Sequence, residues 1–517
     1  MKQSDLRERL FSDDLIRRVF LYSFLCGIVA HGSVMTKALF WHDGLKCAYS
    51  VKINNAIGLG RWMRAFLAHI VACMFGGTNP SLPVFYGVVS LFFIAASAYL
   101  IIRMFNIQSR TMQLVLCGLM VSFPAVTSTF AYMFTAPYYF LGLFLATLAV
   151  FIARQWTDAR GFAIGALCVS CSLGLYQAYI AVAASLFVMT LIFDIVNDRY
   201  PSIPRFLGRA FYCLGVLIVG LAVYYGIWMV CLKALNVTPW SYQGVSSIGQ
   251  KGIGVYLKGI SKAYRVFFLS DLTYRDNLYP MGLRTAQIIM IALSIVFSIC
   301  LIVRSLRKNV LFGIVLALLI ALLPLSFNLV YMLGVSSVHT VMLYGQCMLY
   351  VYLICAAMHV FRDRAGFHVA CCRATVLALI ILVAMDTFFD NGCYMKAEMM
   401  LQQTISNMTV LVAKIKTVEG YRDDMPVCIS ATGEKDATIM KNTALKDYML
   451  VPWNMIVPYE KNFSTKNAKA ILSRWCGFSP KYVTASKFGH KKEISKMPSY
   501  PDDGSVKIID GTVVVRM

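Results

Sequence analysis

Apolar runs long enough to cross a bilayer recur along most of the chain. They fall at about 19–39, 82–102, 113–131, 137–153, 162–175, 178–196, 210–234, 283–303, 310–330, 338–361 and 374–390. Read by length, these predict about eleven transmembrane helices, so the chain is expected to be a polytopic α-helical membrane protein and not a soluble globule. Ahead of the first run, Met1–Arg18 patterns as a short amphipathic helix with Leu6, Leu10, Leu15 and Ile16 along an interface. This lead is too charged and too long for a cleavable signal, so the first run is expected to remain as a signal anchor.

From Asn391 the pattern changes from membrane to soluble. Met395–Thr417 reads as an amphipathic helix, Pro426–Ser430 as a short buried strand and Ala468–Trp475 as a helix. Val506–Val515 reads as a hairpin turning at Asp510-Gly511. Three parts are expected: a cytoplasmic lead (1–18), a multi-spanning domain (19–390) and a small C-terminal α+β domain outside the membrane (391–517).

Charge adds direction to this plan. Hydrophobic residues make up 59% of the 517 positions and charged ones 14%, with a net charge of +23. Such an excess can suggest nucleic acid, but here much of it lies in short loops between spans, which excludes that reading. Arg103 and Arg110, Arg154 and Arg160, Arg199, Arg205 and Arg209, Arg304, Arg307 and Lys308, and Arg362, Arg364 and Arg373 all fall in alternate loops. The intervening short loops Ala131–Ala136, Tyr176-Gln177 and Tyr331–Ser337 carry no Lys or Arg. Cytoplasmic loops are the basic ones, so the N-terminus is expected inside and the C-terminal domain outside. Most of the 16 cysteines lie within apolar runs without metal-ligand spacing and read as small core residues. Cys428 and Cys476 lie well past the last run in an oxidising compartment, where a disulfide and two free thiols are both open.

Two outer loops are long enough to carry chemistry. The first, Trp41–Ser81, follows Phe40-Trp41-His42-Asp43-Gly44 with Asn54-Asn55, Gly60-Arg61-Trp62 and an amphipathic stretch Arg61–Met74. A carboxylate at a membrane boundary is costly unless it is wet, paired or working. His42-Asp43 therefore either ends a helix in solvent or serves the reaction. The second, Asn236–Gly282, interleaves Lys251, Lys258, Lys262, Arg265 and Arg275 with aromatics, a composition that suits an anion clamp or a plain lid. Under the charge-derived topology, Asp43, Asp271, Asp276, Asp386 and Asp390 are the carboxylates upstream of residue 391 at or near the outer face, the last two also suiting a simple exit from their span. There is no internal repeat, and Gly252–Gly254 lacks the strand–turn–helix setting of a nucleotide loop.

The order of basic lead, one span, an outer loop with an acidic residue at its start and Gly-Arg-Trp further on, many spans and an outer C-terminal domain resembles a known family. It is that of the membrane glucosyltransferases that decorate bacterial O-antigen and convert serotype, of the multi-spanning GT-C class. Asp43 and Gly60-Arg61-Trp62 carry the resemblance, with Phe123-Pro124 and Tyr421–Ser430 in support. It implies transfer of a hexose, typically glucose, from a polyprenyl phosphate carrier to a lipopolysaccharide sugar at the periplasmic side of the bacterial inner membrane. A donor synthase and a flippase are the further partners it would imply. By the same resemblance Asp43 is the base, while His42, Arg61, Trp62, Lys262 and Arg265 are candidates for binding substrate. An acceptor hydroxyl needs a proton acceptor, and a departing phosphate needs cations or donors. No metal-ligand cluster is visible in the sequence, His42-Asp43 alone being too little.

Other classes remain in view. A flippase or transporter would place charges within its spans; His31 and His359 are lone residues there and read as satisfied core histidines. An O-antigen polymerase handles the same kind of lipid-linked sugar at the same face. A membrane O-acyltransferase would pair His42 with Asp43, although adjacent residues on a helix point in different directions.

Overall fold

The computed structural model describes residues 13–39, 44, 53–76, 81–240, 253–273, 280–333, 338–361, 367–430, 448 and 465–517. In chain order the helices are α1 (Asp13–Thr36), α2 (Ile53–Gly58), α3 (Trp62–Met74), α4 (Pro83–Phe105), α5 (Arg110–Ser122), α6 (Pro124–Phe130), α7 (Ala136–Gln155) and α8 (Ala159–Leu175). They continue with α9 (Ile180–Val196), α10 (Ile203–Ala234), α11 (Ile253–Thr273), α12 (Met281–Lys308), α13 (Val310–Phe327), α14 (Met348–Val360) and α15 (Phe367–Lys416). Among the described residues 8 helices are long and apolar enough to cross a membrane, or up to 9 when α5 and α6, bent by 43° at Phe123-Pro124, count as one span. Two further expected runs are helical but shorter, Ala159–Leu175 and Tyr344–Val360. The chain is therefore mostly helical and multi-spanning in composition, with a small C-terminal sheet.

Local chemistry sets several boundaries. Asp158 accepts from Gly161 N to cap α8, and Asn309 caps α13 through Leu311 N and Phe312 N, as short polar side chains do at exposed first turns. Between α8 and α9, Tyr176 is extended and a 3-10 turn at Gln177–Tyr179 reverses the chain, so Gly161–Val196 is a pair of helices. The stretch Asp13–Arg18, expected in a separate lead helix, belongs to α1 itself, while the rest of the lead lies outside the described residues.

The last apolar run was expected to end at 390 and a separate helix to begin at Met395. Instead α15 runs unbroken for 50 residues, about 75 Å at the rise of an α-helix. Asp386, Asp390 and Asn391 interrupt the hydropathy, but Asp386 and Asp390 are buried against neighbouring helices, so nothing ends there. Met408, Leu411 and Ile415 on the far end of α15 are fully buried and join one core with Val427 and Ile429.

That core also takes in α16 (Thr465–Arg474) and a sheet of β1 (Val427–Ser430), β2 (Tyr482–Val483), β3 (Val506–Ile509) and β4 (Thr512–Arg516), followed in space as β2-β1-β4-β3. Strand β1 is parallel to both neighbours, and β3–β4 is the expected hairpin, with Asp510 and Gly511 both at positive φ. Because side chains alternate along β1, Val427 and Ile429 face α15 whereas Cys428 faces Ile494, Met497 and Val514. Cys476 lies on the α15 side, its Sγ 3.8 Å from Thr409 Oγ1. Cys428 and Cys476 are accordingly free and on opposite faces of the sheet.

Candidate functional site

Helices α2 and α3 lie in the described part of the first long loop, and the link between them is shaped by Gly60. Its φ is +77°, and a Cβ there would lie 2.4 Å from Tyr224 Oη and 2.7 Å from Gln177 Nε2, so both backbone and packing require glycine. The segment is latched on all sides. Gln177 Nε2 donates to Leu59 O (2.7 Å), Trp228 Nε1 to Ile57 O (2.8 Å), and Trp240 N to Gly58 O (2.9 Å). Each of these uses a carbonyl at the end of a short helix, where carbonyls lack intrahelical partners.

This turn fixes the two residues that follow. Trp62 packs on Gly174 of α8, where a Cβ would come within 2.6 Å of Trp62 Cε2, and its Nε1 is buried without a hydrogen-bond partner. Arg61 points its guanidinium over two tyrosines, with Cζ 5.2 Å from the centre of the Tyr176 ring and 5.5 Å from that of Tyr139. The two rings are stacked on each other at 4.0 Å and 9°. One turn on, Arg64 is 5% exposed and lies over Phe134, 5.6 Å to the ring centre, with Tyr86 as an electrostatic neighbour.

Two guanidinium groups thus enter an aromatic wall built from the ends of α4, α7 and α8. A guanidinium group presents planar N–H donors suited to oxyanions, and burial strengthens such contacts. The arrangement can hold a phosphate beside an aromatic surface suited to a sugar face or an isoprenoid.

The wall continues inward through ring contacts from Tyr176 to Tyr179, Tyr344, Phe140, Phe130 and His31. His31 Nε2 donates to Val121 O (2.9 Å), and in the neutral ring Nδ1 accepts from the Tyr394 hydroxyl (2.8 Å). His359 is likewise bonded, to Cys355 O and Asn197 Oδ1. His31 is the satisfied core histidine the sequence suggested, whereas His359 is only half-buried at the end of α14.

His42 and Asp43 lie outside the described residues. Arg61 and Trp62 stand together in the wall, but Lys262 and Arg265 do not join them. Those two are exposed on α11, a helix where a loop was expected, which packs chiefly against α12, α13 and the 3-10 turn Leu329–Leu333. Lys262 Nζ lies 5.3 Å from the centre of the Tyr331 ring, Tyr264 donates to Ala321 O, and Asn328 Nδ2 to Ala263 O. Sequence reasoning missed Arg64, and it missed Tyr139 and Tyr176 as partners of Arg61; the signal was the cation-free character of the short loops at 131–136 and 176–177. Among the described residues no three His, Cys, Asp or Glu side chains form a metal-binding group.

Comparison with known proteins gives this wall its context. The family model described as Glucosyl transferase GtrII matches residues 32–350, more than half of the chain. The chain belongs to the GtrII glucosyl transferase family. The matched range begins in α1, spans the first long loop and ends in α14, so it contains every residue of the Arg61 site. No curated protein and no solved structure matches the chain. Membership makes the chain a glycosyltransferase by family and agrees with the resemblance seen in the sequence.

Proposed function

We propose that this GtrII-family protein moves a hexose, glucose in the first instance, from a polyprenyl phosphate carrier to an O-antigen sugar of lipopolysaccharide. The reaction takes place at the periplasmic side of the bacterial inner membrane, in an eleven-span GT-C arrangement with the N-terminus cytoplasmic. The observation that carries the reading is the Arg61 guanidinium set against the Tyr139–Tyr176 pair inside the range matched by the family model.

In this mechanism Arg61 binds the carrier phosphate as it leaves, and Trp62 offers its buried indole N–H to the same substrate. Asp43 takes the proton from the attacking hydroxyl of the acceptor. The hydroxyl oxygen forms the new glycosidic bond as the bond to phosphate oxygen breaks, and the carrier phosphate departs with the electron pair and no proton. Lys262 and Arg265, away from the wall, gather the anionic carrier at the surface. The test is expression in a host of defined O-antigen followed by mass spectrometry of the polysaccharide. A hexose increment is expected; a 42 Da step would mean acetylation, and altered chain length polymerisation.

A further inference from the structure

Two carboxylates inside the helix bundle have nothing to hold them. Asp386 and Asp390 lie one turn apart on α15 and are 1% and 0% exposed. Not one of their four oxygens has a hydrogen-bond partner, and no ion pair among the described residues includes either side chain. Thr127, on α6 just past the Phe123-Pro124 bend, is 1% exposed. Its Oγ1 also lacks a partner, although the side chain lies close enough to act on both Asp390 and Tyr394. Cys347 stands beside Asp386, and Cys393 beside Asp390 with Lys396 acting on that thiol. His31 is already committed at both ring nitrogens.

A bare carboxylate in such a place costs several kcal/mol, which is why intramembrane acids are paired or working. Protonation answers only part of this, because Asp390 could then donate to Thr127 Oγ1 while the remaining oxygens of the pair still lack donors. A cation does resolve it. Oxygens around an ion stand farther apart than hydrogen-bonded ones, so they are satisfied without touching each other. Two negative charges match a divalent ion, and an all-oxygen set selects the hard ones. Mg²⁺ in particular is held by one or two carboxylates and keeps waters for the rest of its shell, so two aspartates suffice.

We propose that Asp386, Asp390 and Thr127 bind a divalent cation of the Mg²⁺, Mn²⁺ or Ca²⁺ class where α15 crosses the α5–α6 bend. The ion ties the long helix to the broken one and is independent of the role given to Asp43. The probe is Mn²⁺, titrated into full-length protein stripped with EDTA in lipid nanodiscs, with free Mn²⁺ read by electron paramagnetic resonance. About one Mn²⁺ per chain, displaced by Mg²⁺ or Ca²⁺, is expected, weakened at least tenfold in D386N and D390N and retained in D43N. Since an Asn variant can fail to fold, T127V is carried alongside, its Mn²⁺-dependent rise in melting temperature expected to be smaller than that of the unaltered protein. Absence of Mn²⁺ binding by the unaltered protein overturns the proposal, as does equal binding by the double Asn variant.

Discussion

Gly60 and Tyr224 approach so closely that a Cβ on residue 60 would stand 2.4 Å from Tyr224 Oη. Left-handed backbone costs a residue other than glycine about 1–2 kcal/mol, and the clash adds to it. Gly60→Ala is therefore expected to lower the melting temperature of the purified protein and to reduce hexose transfer by moving Arg61 and Trp62. Tyr224→Phe removes the atom struck first and should restore part of the loss in the double variant. Equal damage with and without the hydroxyl would show that the contact does not matter.

Arg61→Lys keeps the charge but discards the delocalised guanidinium set against Tyr176 and Tyr139. Such a cation–π contact contributes on the order of 0.5–2 kcal/mol, so a fall in transfer of up to about thirtyfold is expected with membrane protein levels unchanged. Tyr176→Leu should act in the same direction and Tyr176→Phe much less, because the ring and not the hydroxyl carries the contact. Transfer rates measured beside immunoblots decide this, and a fully active Arg61→Lys refutes it.

How far the sequence revealed this site depends on the kind of information each part needs. Span positions are written in local apolar length, so α4, α7, α10 and α12 fall where expected. Helix α11 was hidden by its Gly- and Tyr-rich lead, although Ala263 and Phe267, one turn apart, mark its buried face. Its continuation past 390 hid α15, because a carboxylate in the sequence looks like an exit until its neighbours are known. Arg61 was visible as a cation after Gly60, but Tyr139 and Tyr176 come from other helices and share no pattern with it. The tight fit of Trp62 on Gly174 is equally a product of packing between distant segments.

The two thiols beyond the last span give a separate check on the C-terminal sheet. Cys428 on β1 is buried against Ile494 of α17 (Lys491–Lys496), and burial pushes its thiol up, while Cys476 is partly accessible beside Thr409. Cys476 is expected to alkylate in the native protein and Cys428 only after unfolding. Gel mobility should not depend on reductant. A reductant-sensitive band lost in either Cys→Ser variant would place the two sulfurs together and contradict the sheet faces.

The proposed orientation follows from basic loops alternating along the chain. A phosphatase fused after Met517 should be active and a fluorescent protein that folds only in the cytoplasm should be dark. The opposite pair of results would move the Arg61 wall to the cytoplasmic face and remove the proposed reaction with it.

Asp43 is the proposed base, and its replacement is the sharpest test of the mechanism. Asp43→Asn retains size and polarity but cannot accept the proton of the attacking hydroxyl, so transfer should fall by about 10²–10⁴. Protein level and melting temperature should barely move, since Asn matches Asp in size and polarity. Asp271→Asn and Asp276→Asn are the controls, as carboxylates of the same predicted face. Asp390 is unsuited to that purpose because it is fully buried, and its amide would alter packing as well as charge. The decisive pattern is loss in Asp43→Asn alone, measured as hexose incorporated per unit of inserted protein. Activity surviving in Asp43→Asn while a control fails would assign the base to the second outer loop, leaving Arg61 and its tyrosines as a binding wall that serves a different carboxylate.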